Sequence, residues 1–107
     1  MLAPALLAAT TAPLAAQDDF DDKLAESRLR GCLLAGAGSA PEGGLHEAII
    51  SIRAFCGAQI RRVQDIRVAA ATAGLTGEAA EQAEKQAILH LNDEIAQAIA
   101  NFTGRTN

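Results

Sequence analysis

LHEAIISIRAFCGAQIRRVQDIRVAAATA, residues 45–73, carries the pattern that decides the fold. Leu45, Ile49, Ile52, Cys56, Gln59, Val63, Ile66, Ala70 and Ala73 recur at alternating steps of four and three. Such steps return to one face of an α-helix, and a seven-residue repeat is the period of helices packed at a shallow crossing angle. Gln59 alone interrupts the seam, and Ile50, Phe55 and Ile60 widen it. A stripe this broad meets more than one neighbour, so the segment reads as the central helix of a bundle.

Downstream, Gly74 suits a left-handed helix end and Thr76 an N-cap, with Glu78 and Glu81 in or near the first turn that follows. A connection of about three residues makes the flanking helices antiparallel neighbours. The next helix, from Gly77 to about Phe102, is lined first by Ala80, Ala83 and Ala87 and then by Ile88, Leu91, Ile95, Ala98 or Ile99, and Phe102. Its wide second half predicts room for a shorter helix wedged in. Gly104 supplies the stop, and RTN reads as a frayed tail.

Upstream of residue 45, GAGSAPEGG cannot sustain a helix and predicts a loop over residues 36–44. Ser39, Pro41 and Glu42 match the spacing of a capping box. The first helix is expected over residues 18 to about 35, facing inward through Phe20, Leu24, Ser27 or Arg28, and Cys32. Asp18, Asp19, Asp21 and Asp22 would then lie against the positive end of its dipole. The predicted fold is all-α: a three-helix up-down-up bundle with a short first helix and a long antiparallel hairpin.

Composition agrees. Half the residues are apolar, yet aromatics make up 3%: three Phe, with neither Trp nor Tyr. Valine occurs only at Val63 and Val68, so the apolar content is helix-forming Ala, Leu and Ile rather than strand-forming types. A net charge of −4 argues against nucleic acid as partner, because neutralising phosphates takes a surplus of Lys and Arg.

Residues 1–16, MLAPALLAATTAPLAA, hold no charged side chain, and every Lys, Arg, Asp and Glu follows Gln17. That boundary predicts a secretory signal peptide over residues 1–16 and a single helical domain over 17–107, placed in the periplasm or secreted. Leu14 departs from the small residue usual three positions before the cut. A membrane span is not expected from this segment, since spanning takes about 20 apolar residues. Export gives Cys32 and Cys56 an oxidising compartment, and their pairing would close a loop worth about 3.5 kcal/mol in the chain-entropy model.

Candidate chemistry is sparse. Arg53, Arg61, Arg62 and Arg67 fall within fifteen residues of the central helix, where the only acid is Asp65, which marks a surface for an anionic partner unless acids such as Glu26, Glu81 and Glu84 on neighbouring helices neutralise it. His90 precedes Asp93 and Glu94 by three and four residues, a surface arrangement suited at most to a divalent cation. His46 has Ile50 where a second zinc-protease histidine would stand. Ser27, Ser39 and Ser51 have no histidine at a suggestive spacing, so neither a catalytic residue nor a cofactor is assigned. The expectation is a non-enzymatic periplasmic or secreted protein that acts through contacts with a protein partner not identified by the sequence, with homodimerisation open. The alternatives are a small binding protein for a divalent metal or an anionic envelope component, and an inhibitor or minor hydrolase.

Overall fold

The computed structural model describes residues 12–106, with side chains from residue 18 onward. Four helices form: α1 (Ala12–Gly38), α2 (Leu45–Phe55), α3 (Gly57–Thr72) and α4 (Gly77–Thr103), with no strand among the described residues. Cross-contacts give their directions. Along α1, Glu26 meets Arg67 of α3, Cys32 is bridged to Cys56, and Gly36 lies against Ile52 of α2. Rising numbers in α1 thus meet falling numbers in α3 and α2. Arg67 also reaches Glu94 of α4, and the Leu45 N–H donates to the Thr106 carbonyl beyond the end of α4. The bundle is therefore up-down-up, with a middle rod made of two helices.

The middle rod breaks at Cys56, where the backbone leaves helical geometry (φ −102°, ψ 18°). The Cys56 N–H still donates to the Ile52 carbonyl and the Cys56 carbonyl accepts from the Ile60 N–H, each at 2.9 Å. Glycine costs about 1 kcal/mol relative to alanine inside a helix, so Gly57 makes an interruption cheap at this point. Its effect is a change of phase. Below the break the buried line is Ala48, Ile52 and Cys56, and above it continues through Ile60 and Val63 instead of Gln59. Leu45, Ile49 and Ile66 are half-buried, Ala70 and Ala73 are exposed, and Ile50 and Phe55 stand outside the core.

The first helix differs from expectation in three respects. It is as long as α4, 27 residues each, rather than short. It begins inside the segment read as a leader, because Pro13 is tolerated in a first turn and alanines carry the helix onward; residues 1–11 lie outside the described residues. With this start, Asp18–Asp22 fall past the first turn, away from the positive end of the dipole. Its inward face is Ala25, Leu29 and Leu33, whereas Phe20, Ser27 and Arg28 are exposed. The face expected from spacing, through Phe20 and Leu24, is one residue out of register with it.

At the far end, α1 continues to Gly38, and Ser39 closes it instead of opening a capping turn: its Oγ donates to the Ala35 carbonyl at 3.2 Å. Gly44 is the N-cap of α2. The orphan amide of Leu45 is satisfied by the chain's own tail, through Thr106, and the Arg105 Nη2 donates to the Ala40 carbonyl at 3.4 Å. Residues 105–106 are thus docked rather than frayed. Gly74 (φ 76°) and Gly104 (φ 68°) take the left-handed conformation expected of them. Thr76 occupies the N-cap of α4 but makes no side-chain cap hydrogen bond.

The core is Ala25, Leu29, Leu33, Ala48, Ile52, Cys56, Ile60, Val63, Leu91, Ile95 and Ile99, with no polar or charged side chain buried among the described residues. It lies where α4 carries large aliphatics. Gly31 of α1 faces outward, and a Cβ placed there would meet nothing within 4 Å. Gly31→Ala is therefore expected to stabilise the fold by about 1 kcal/mol, read as a higher urea midpoint with an unchanged slope.

Candidate functional site

Arg67 is the most constrained charged group. Its Nε and Nη2 donate to the two carboxylate oxygens of Glu26 at 2.9 and 2.8 Å, while Nη1 and Nη2 donate to those of Glu94 at 2.8 and 3.1 Å. One guanidinium thus joins α1, α3 and α4 by two bidentate forks. Its own pKa is raised by the hydrogen bonds to Glu26 first and Glu94 second. The Glu94 carboxyl is held below the usual carboxylate range, chiefly by the Arg67 hydrogen bond and in lesser part by the charge of His90, whose Nε2 lies 2.9 Å away.

A group with a depressed folded pKa contributes stability that is present above its unfolded value, about 4.3 for glutamate, and lost as pH falls through the folded value. Arg67→Met is accordingly expected to cost about 1 kcal/mol at pH 7, a modest figure because solvent screens both carboxylates. It should also flatten the loss of stability below pH 4, measured by urea titration at pH 7 and pH 3.

This network takes Arg67 out of the basic cluster. The other three arginines are divided: Arg53 and Arg61 line one depression with Gly57, Ile60 and Gln64, and the exposed Arg62 lies outside it. Glu26 is the neutralising acid anticipated for the cluster, but it acts on Arg67 alone; Glu94 has the same role and was not anticipated. Both stand on α1 and α4 at positions whose proximity to Arg67 depends on helix register, which spacing does not reveal.

Above this network, α1 and α4 enclose an open groove of about 320 Å³ with Leu29, Leu33, Leu91 and Ile95 at its base and Arg30 at its edge. The Arg30 guanidinium lies 5.3 Å from the centre of the Phe102 ring, within cation–π range. Of the residues proposed for a cation, His90 and Glu94 meet, but Asp93 does not join them. Asp93 accepts from the Gln97 amide, and Glu94 is turned to Arg67 and His90. Among the described residues no group of three His, Cys, Asp or Glu could hold a metal ion.

Cys32 and Cys56 are paired, with Cα atoms 5.9 Å apart, and Cys56 is fully buried. Such a pair is compatible with an oxidising extracellular compartment. No described helix is long and apolar enough to cross a membrane.

The exposed surface carries large apolar side chains. Phe55 is 65% exposed, Phe20 64% and Ile50 58%. On α2, Ile50, Ala54 and Phe55 all face solvent, and Phe55 borders α1 at Gly36. The stripe expected over residues 45–73 includes Phe55 because the segment reads as one unbroken helix; the adjacent Cys-Gly pair is the sequence signal of the break that leaves Phe55 outside. No known protein family, curated protein or solved structure matches the chain.

Proposed function

We propose that this chain is an exported, non-enzymatic helical module that acts by docking a protein partner against α2 and the adjoining edge of α1. One observation carries the reading: on α2 the side chains of Phe55 and Ile50 stand 65% and 58% exposed, while no aromatic side chain is among the buried core residues. Phenylalanine brings a large apolar area with little conformational freedom to lose, which is why aromatics anchor interfaces. A sequence with so few aromatics gains more stability by burying them than by exposing them. Export is supported by the charge-free residues 1–16 and by the paired cysteines.

The test is a photo-crosslinking amino acid placed at position 55, at position 50, or at position 62 as control, in protein made in its native host. A discrete adduct from positions 55 and 50 but not 62, on chains that mass spectrometry shows to begin near Gln17, is the expected result. Identical adducts from all three positions, or none, would reject the docking surface; an intact Met1 on cytoplasmic protein would reject export.

A further inference from the structure

The depression between Arg53 and Arg61 is independent of the Phe55 surface. Its lining residues, Arg53, Gly57, Ile60, Arg61 and Gln64, follow one face of the middle rod across the break. Arg53 and Arg61 are eight residues apart, about 12 Å of helix axis, with Gly57 midway. A Cβ at Gly57 would meet nothing within 4 Å, so the floor between the two arginines is open backbone. Either arginine need reach only half that distance to bring its guanidinium over Gly57. The depression is open to solvent, with a volume of about 230 Å³.

Asp65, one helical turn beyond Arg61, lies outside the depression. Among the described residues neither arginine makes an ion pair, in contrast to Arg67, and no carboxylate lines the depression. Two guanidinium forks and the Gln64 amide present more donors than the two oxygens of a carboxylate can accept. They suit a tetrahedral group with three terminal oxygens and two negative charges. We propose that Arg53, Gly57, Arg61 and Gln64 form a binding site for a phosphate monoester group. The group can belong to a soluble molecule or to a lipid headgroup; the chemistry recognised is the same.

The experiment is a titration of the ¹⁵N-labelled, disulfide-intact protein with glycerol phosphate, and in parallel a flotation assay with phosphatidylcholine vesicles with or without phosphatidic acid. Arg53→Gln/Arg61→Gln is compared with Arg28→Gln/Arg62→Gln, which removes the same charge from exposed positions outside the depression. Saturable shifts of the amides at positions 53, 57, 61 and 64 are expected, weakened by about tenfold or more in the first variant and by less than about threefold in the second. Near-identical circular dichroism spectra verify that both variants fold. Vesicle binding with that same pattern, where glycerol phosphate gives none, would support the site and assign it to a lipid headgroup. Equal losses in both variants, or no saturable binding in either assay, would overturn it.

Discussion

Replacing Cys32 and Cys56 together by serine should lower the melting temperature by on the order of 15–25 °C. The bridge spans 24 positions and closes a loop whose entropy is worth about 3.5 kcal/mol in the chain-entropy model. A domain of this length has roughly 5–15 kcal/mol of stability in all, and each kcal/mol moves the midpoint of a small domain by about 4–8 °C. Loss of the bridge also places a hydroxyl at the position of Cys56, which is fully buried. Cys32→Ala/Cys56→Ala separates the two effects, since alanine removes the bridge without burying a polar group. Calorimetry of both double variants checks the figure; a change of less than 5 °C in both would show that the bridge does not restrain the unfolded chain.

Ile52→Ala is expected to cost about 3 kcal/mol, within the range for truncating a fully buried aliphatic side chain. Ile52 is 1% exposed and packs directly on the backbone of α1, because a Cβ on Gly36 would come within 3.0 Å of its Cγ2 and 3.3 Å of its Cγ1. That contact makes the two positions interdependent. Gly36→Val in the native background overpacks the same spot and should cost about 1–3 kcal/mol. In an Ile52→Ala background the added methyl groups enter the vacated space, so the double variant should be more stable than the sum of the two losses. A urea-denaturation cycle of the four proteins measures the coupling, and strict additivity would show that Gly36 and Ile52 do not share one packing site.

The parts of this fold legible in the residues are those governed by local chemistry. Gly74 and Gly104 end helices, Thr76 precedes one, and the inward position of Cys56 together with the loop length makes the Cys32 bridge feasible. What escaped was set by relations between helices. A seven-residue pattern runs smoothly through Cys56, yet one non-helical backbone position there moves the buried line from Gln59 to Ile60 and leaves Phe55 outside. The inward face of α1, Ala25, Leu29 and Leu33, lies one position from the face that helical spacing suggests through Phe20 and Leu24. In the candidate surface, the separation of Arg67 from Arg53 and Arg61 depends on Glu26 and Glu94 arriving from two other helices. Charge counted along one segment does not contain that information.

The bridge and the bend together make the stretch from Cys32 to Cys56 a closed covalent ring, and the exposed Pro41–Gly43 segment lies inside it. A protease that nicked the backbone there would leave a two-chain molecule whose halves stay joined through sulfur. A nick in the exposed connection at residues 73–76 falls outside the ring, and α4 would then be retained by packing, Arg67 and the docked tail alone. The two turns of the bundle thus differ in what a cut does to them: one is held together by a covalent bond after cleavage, and the other relies on the tightness of the fold.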